Sequence, residues 1–249
     1  MLEEQAFIGE LISAFVYLYV GMRMLRLSSR TGEVPERLLG AMFLVTGISF
    51  LLYDLPIILD NESLWTPLSF AGRVAYLPAP VLLAVFTHRV FCPEGVWSGW
   101  MAYGSAVLLV AGVGGSVWSG DLEGFSVSSP WFWAEWVGYT VPYAWAGAEA
   151  LAHHRRARRR LRLGLCDPLV CNRYLLWGCF GAMQLLVCFA VIPEYVEYEQ
   201  GGAFTAMWDA LISAGELLSL ALIWLIFFSP AFYQRWIQGA AAVPKDAEG

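Results

Sequence analysis

Lysine is nearly missing from this sequence of 249 residues, Lys245 near the end being the only one, so no lysine lies in an apolar stretch where a Schiff-base chromophore would need it. Histidine is almost as scarce. His88, His153 and His154 all fall at the ends of apolar stretches, which leaves no intramembrane pair for a haem and no His-rich metal site. Of the five cysteines, Cys92, Cys166 and Cys171 fall on the predicted inner side and Cys179 and Cys188 inside a helix, which argues against an extracellular disulfide. The Cys166-x-x-x-x-Cys171 spacing does not match common zinc motifs, so the expectation is reduced thiols and no metal or other cofactor. With no activated nucleophile, His cluster or metal motif in sight, an enzyme is the least favoured class. Charge is thin as well, 14% of residues against roughly a quarter in soluble domains. The start, Met1-Leu2-Glu3-Glu4-Gln5, is acidic where a cleavable signal is basic, and the first base is Arg23. The first helix is therefore expected to enter with its N-terminus outside.

What the chain does contain is apolar surface: 58% hydrophobic residues and a mean hydropathy of +0.57. Seven stretches reach the ~20 residues needed to cross a ~30 Å hydrocarbon core, near 7–24, 38–59, 68–90, 101–118, 131–152, 174–192 and 203–228. Lipid offers no hydrogen bonds to the backbone, so these segments are helices. The expected fold is all-α, a polytopic seven-helix bundle forming one domain over residues 1–238, followed by a short cytoplasmic tail, 239–249, with no soluble catalytic domain attached. Pro56, Pro78, Pro80 and Pro142 fall inside helices two, three and five and favour kinks there. In helix four, Ala111-x-x-x-Gly115 suits close packing on a neighbour.

Orientation follows from the bases. Arg155, Arg156, Arg158, Arg159, Arg160 and Arg162 run directly out of the fifth apolar stretch, too densely charged for hydrocarbon, and mark the cytoplasmic side. Fourteen of the fifteen bases then fall on that side, the exception being Arg73, while the outer segments hold Glu3, Glu4, Asp60, Glu62, Asp121, Glu123, Glu194, Glu197 and Glu199. This predicts N-terminus out and C-terminus in. Trp65, Trp118, Trp131 and Trp133 mark the outer interface, and Trp97, Trp100 and Trp236 the inner one. The arginine run reads as a contact for anionic lipid headgroups or a cytoplasmic protein partner, not for nucleic acid. Asn61-Glu62-Ser63 matches a glycosylation sequon in an outer loop.

Ionisable groups inside the span are costly unless paired, hydrated or protonated, so they are the natural site candidates. At 1.5 Å per residue, Glu10, Asp54, Arg73, Glu135 and Asp209 all sit one to two turns below the outer boundary, and Asp54 and Arg73, on adjacent helices, are expected to pair. Tyr53, Tyr76, Trp136, Tyr139 and Trp208 lie at related depths. Carboxylates with aromatic faces are how ammonium groups are held, so the sharper reading is an outward-facing pocket for a small cationic ligand. The blander one is acids facing a wet vestibule. Asp209, Ser213 and Glu216 fall at i, i+4 and i+7, one inward stripe of the last helix. Glu216 lies near mid-membrane and serves either an interhelical hydrogen bond or a relay.

The seven-helix, N-out pattern resembles rhodopsins and G-protein-coupled receptors. Four residues after Asp209, where a microbial rhodopsin carries its retinal lysine, stands Ser213, so that resemblance carries over no chromophore. Thr87-His88-Arg89 resembles the receptors' Asp-Arg-Tyr at the end of helix three, and Ser229-Pro230-Ala231-Phe232-Tyr233 their Asn-Pro-x-x-Tyr at the end of helix seven. The stretch from Arg160 to Trp177 resembles one in bacterial seven-helix membrane proteins and implies a bacterial cytoplasmic membrane, without carrying over a catalytic residue. Together these imply a sensory or receptor protein. A transporter or proton-coupled channel using the intramembrane acids is the first alternative, and a structural subunit of a membrane complex the second.

Overall fold

The computed structural model describes residues 2–124, 126–200 and 206–242, with the side chains of 2–7, 206, 209 and 240–242 outside that description. Among the described residues there are nine α-helices and one 3-10 turn at Glu62–Leu64. The helices are α1 (Leu2–Thr31), α2 (Val34–Ile58), α3 (Trp65–Tyr76), α4 (Pro78–Phe91), α5 (Val96–Ser119), α6 (Pro130–Leu161), α7 (Pro168–Glu199), α8 (Ala206–Phe228) and α9 (Ala231–Ala242). Their starts are written locally. Pro35, Pro78, Pro130 and Pro168 occupy the first turns of α2, α4, α6 and α7, where a missing N–H costs nothing. Ser129 and Asp167 cap α6 and α7 by accepting from the N–H of Trp131 and Leu169. At the other end of α5 the left-handed Gly120, φ +83°, stops the helix.

Among the described residues six segments are long and apolar enough to cross a membrane: Ile8–Thr31, Val34–Ile58, Glu62–Phe91, Val96–Ser119, Pro168–Glu199 and Ala210–Phe228. α6 is as long as α7, but its dense Trp and Tyr content lowers its hydropathy, and it falls outside this set. The third segment is α3 and α4 end to end, divided at Leu77, where Pro78 and Pro80 withhold two N–H groups from the helical ladder. Pro56, Pro142 and Pro193 lie inside continuous helices. α7 therefore runs past Pro193 to Glu199, carrying Glu194, expected in an outer loop, into the helical wall.

Helix contacts form a closed ring. α1 packs on α2, α2 on the α3–α4 pair, α4 on α6, α6 on α7, α7 on α8, and α8 back on α1. α5 stands outside, packed on α4 and α6, with Trp100, Tyr103, Val107, Val110 and Trp118 exposed, as a lipid-facing helix would have them. Apolar burial drives little in a bundle bathed in lipid tails, so close backbone approach supplies the contact energy. The α1–α2 seam shows how. A Cβ on Gly21 would lie 2.7 Å from Leu44 N, one on Gly40 2.9 Å from Leu25 N, and one on Gly47 2.9 Å from Leu18 N. α5 and α6 meet the same way, through Gly112 against the Glu135 backbone and Gly115 beneath Trp131. That face holds Gly112 and Gly115 rather than the expected Ala111-to-Gly115 pair, since Ala111 is exposed.

The two ends differ in chemistry. One gathers the α2–α3 and α5–α6 connections, where Thr66 donates to Glu123 and Ser126 and Ser128 to Glu199. The other gathers the bases. All six arginines of the run are exposed along the last turns of α6, where cations complement the helix dipole. There His88 Nδ1 meets Ser98 Oγ at 2.6 Å, and the Asn172 amide donates to the Tyr233 hydroxyl at 2.8 Å, tying α9 to α7. The chain turns at Ser229-Pro230 between α8 and α9, and α9 continues past Gly239 to Ala242.

Candidate functional site

The ring surrounds a cavity of about 470 Å³ that reaches the acidic end. Its wall takes Glu10 and Ser13 from α1, Ser49, Phe50, Tyr53 and Asp54 from α2, Arg73 and Tyr76 from α3, and Glu135 and Tyr139 from α6. Gln184, Cys188, Glu194 and Tyr195 come from α7, and Ile212, Ser213 and Glu216 from α8, with Glu123 and Gly124 of the α5–α6 loop at the outer end. Four of the five acids and bases predicted to share one level are thus brought together; the fifth, Asp209, has its side chain outside the described residues. α5 contributes nothing to the lining.

Arg73 does not pair with Asp54. Its guanidinium, 5% exposed, engages Glu135 of α6, with Nε 3.0 Å from both carboxylate oxygens and Nη2 in a shorter contact to Oε2. Nη2 also donates to Ser116 Oγ at 2.9 Å, and Nη1 to the Asp121 and Leu122 carbonyls at 3.4 and 3.1 Å. All five N–H donors are used, which is the geometry of a structural knot rather than of a free cation. The reason is rotational. Gly72 lays its bare face on Tyr53 and the Ser49 carbonyl, and its own carbonyl accepts from Ser49 Oγ at 2.8 Å. One residue further, about 100° around the helix, Arg73 points away from α2 toward α5 and α6. Gly124, φ +79°, closes over the knot, so near that a Cβ there would lie 2.2 Å from Arg73 Cζ.

Asp54 has a different neighbour, the Glu10 carboxyl, within hydrogen-bonding reach across the α1–α2 seam. Among the described residues its Oδ2 is buried without a hydrogen-bond partner, as are the hydroxyls of Ser13 and Ser213. Deeper in the wall, Glu216 Oε2 accepts from the Tyr17 hydroxyl at 2.5 Å and from Gln184 Nε2 at 3.3 Å. The Tyr76 and Tyr143 hydroxyls meet at 2.9 Å. Of the aromatics expected beside the acids, Tyr53, Tyr76 and Tyr139 line the cavity; Trp136 instead donates to the Cys188 carbonyl and Trp208 to Glu197, and neither is part of the lining. Sequence reading missed Tyr17, Gln184 and Glu194. A signal for the last two was present, since Gln184, Cys188, Val191 and Glu194 follow a helical period along α7.

Fold and site together define an all-α protein with six candidate membrane spans and an acid-rich, tyrosine-lined cavity inside its helical ring. No known protein family, curated protein or solved structure matches the chain.

Proposed function

We propose that this is a seven-helix membrane protein of sensory or receptor type that binds a small cation in an outward-facing cavity and presents a basic cytoplasmic face. In this reading α3 and α4 make one crossing and α6 supplies the seventh, packed between α4, α5 and α7 with Tyr143 and Trp145 buried. The N-terminus is outside and the C-terminus in the cytoplasm of a bacterial cell. One observation carries the ligand class: among the described residues Arg73 is the only base lining the cavity, and Glu135, Ser116 and the loop carbonyls engage it completely, while Asp54 and Glu216 have no basic partner there. Carboxylates walled by tyrosine in a poorly hydrated space favour a cation. The exposed arginine run would contact anionic headgroups or a protein partner and report the occupied state.

Melting of the purified full chain in n-butylammonium chloride, against sodium chloride of equal ionic strength, tests this. A ligand at a hundredfold excess over its Kd adds about 2.7 kcal/mol, a rise of several degrees, which Asp54→Asn should abolish. An unchanged Tm at millimolar butylammonium would refute the reading. A transport role is favoured by one observation, the division of the third crossing at Leu77 beside Tyr76 in the cavity wall, since broken helices line many transport sites. Cation or proton flux in proteoliposomes would separate it from sensing.

A further inference from the structure

The oxygens of the cavity are not gathered at one point. Asp54 and Glu10 form one station. The glycine contacts set its depth: Gly40 lies against Leu25 and Gly47 against Leu18, so seven residues along α2 match seven along α1, and the same register brings Asp54 level with Glu10 and Leu11. Glu216 forms the other station, held by the hydroxyl of Tyr17, two turns further along α1 than Glu10. Tyrosine side chains lean toward the N-terminus of their helix, so the two carboxyl levels are separated by between one and two turns, about 5–10 Å. Ser13 lies three residues beyond Glu10 on α1, and Ser213 packs against Gly9 beside the first station; both hydroxyls are over nine-tenths buried and without a partner among the described residues. The lining alongside also includes Phe50, Val187 and Ile212.

We infer that the cavity takes a linear primary diamine, one ammonium at Asp54 and Glu10, the other at Glu216, with its methylenes along the apolar wall. This rests on the cation reading above and narrows it. A primary ammonium brings three N–H donors, which the unpartnered Asp54 Oδ2 and the serine hydroxyls can accept; a quaternary ammonium would leave them unsatisfied. A metal ion fits less well, because no three or more His, Cys, Asp or Glu side chains among the described residues are grouped to hold one. Carbon–carbon bonds of about 1.5 Å in an extended zigzag advance roughly 1.25 Å each, so roughly four to six methylenes span the two stations.

The test is a chain-length series on the purified full-length protein: n-butyl-, n-pentyl- and n-hexylamine against the α,ω-diamines of three to eight carbons, with affinity from calorimetry and melting. The diamines of four to six carbons should bind at least tenfold tighter than the monoamines of equal length, with affinity falling at three and at eight. Glu216→Gln should bring the diamine down to the monoamine level and leave the monoamine unchanged. If monoamines bind as tightly as diamines, or Glu216→Gln leaves the ratio intact, the two-station assignment is overturned while the cation reading stands. If no amine binds, both fall. Should Glu216→Gln not purify folded, the wild-type length profile alone decides.

Discussion

Replacing Arg73 by methionine removes the charge and keeps much of the side chain's bulk. Glu135, 14% exposed, would then hold a carboxylate beside a cavity lined by no other base among the described residues. At about 3 Å and an effective dielectric of ~20, the lost attraction is roughly 5 kcal/mol. Part of this is returned because an arginine no longer has to be desolvated, and breaking a buried pair by removing one partner costs about 3–5 kcal/mol net. Ser116 Oγ and the Asp121 and Leu122 carbonyls also lose their donor, which frees the α5–α6 loop from α3. Glu135→Leu strands the opposite charge and should cost a similar amount. The double variant should recover most of the loss, because an apolar pair of similar volume can replace a buried ion pair at little cost. Melting of the four proteins in one detergent closes the cycle, with an expected coupling of about 3 kcal/mol; the same cycle for Arg73 and Asp54 should be additive to within ~0.5 kcal/mol. Additive losses for Arg73 and Glu135, or strong coupling to Asp54 in their place, would refute the assignment of the knot.

Three further outcomes are expected. Gly124→Ala drives a Cβ into the guanidinium at a backbone φ of +79°, and should destabilise by about 1–3 kcal/mol; combined with Arg73→Met it should cost distinctly less, and equal losses in both backgrounds would show that the loop does not rest on Arg73. Glu216→Gln keeps an acceptor for Tyr17 and Gln184 and should melt near wild type, whereas Glu216→Leu leaves two buried donors unmatched at about 1–3 kcal/mol each; equal melting of the two variants would remove the carboxyl from the interior network. For topology, a membrane-impermeant maleimide on intact cells should label Glu62→Cys, which is exposed, and spare Cys166. Labelling of Cys166 would invert the orientation and turn the cavity toward the cytoplasm.

Residues close in sequence determined a good deal. Apolar runs with few charges left helices as the only backbone solution in lipid, and the separation of fourteen bases from the nine acids of the outer segments distinguished the two ends. Asp167-Pro168 wrote the start of α7, and the i, i+4, i+7 spacing of Asp209, Ser213 and Glu216 placed Ser213 and Glu216 on the cavity face of α8. Helical depth likewise set Glu10, Asp54, Arg73 and Glu135 at levels that share one cavity. What period and depth do not carry is rotation about the helix axis and the identity of the neighbouring helix. Those decided that Arg73 turns from α2 to Glu135, that Asp54 faces Glu10, and that Tyr17 and Gln184 hold Glu216. They also decided that α5, as apolar as its neighbours, stands outside the ring. Each depends on which small residues let two backbones approach, a property of helix pairs: Gly21, Gly40 and Gly47 fix α1 on α2, Gly72 fixes α3 on α2, and Gly112 and Gly115 fix α5 on α6.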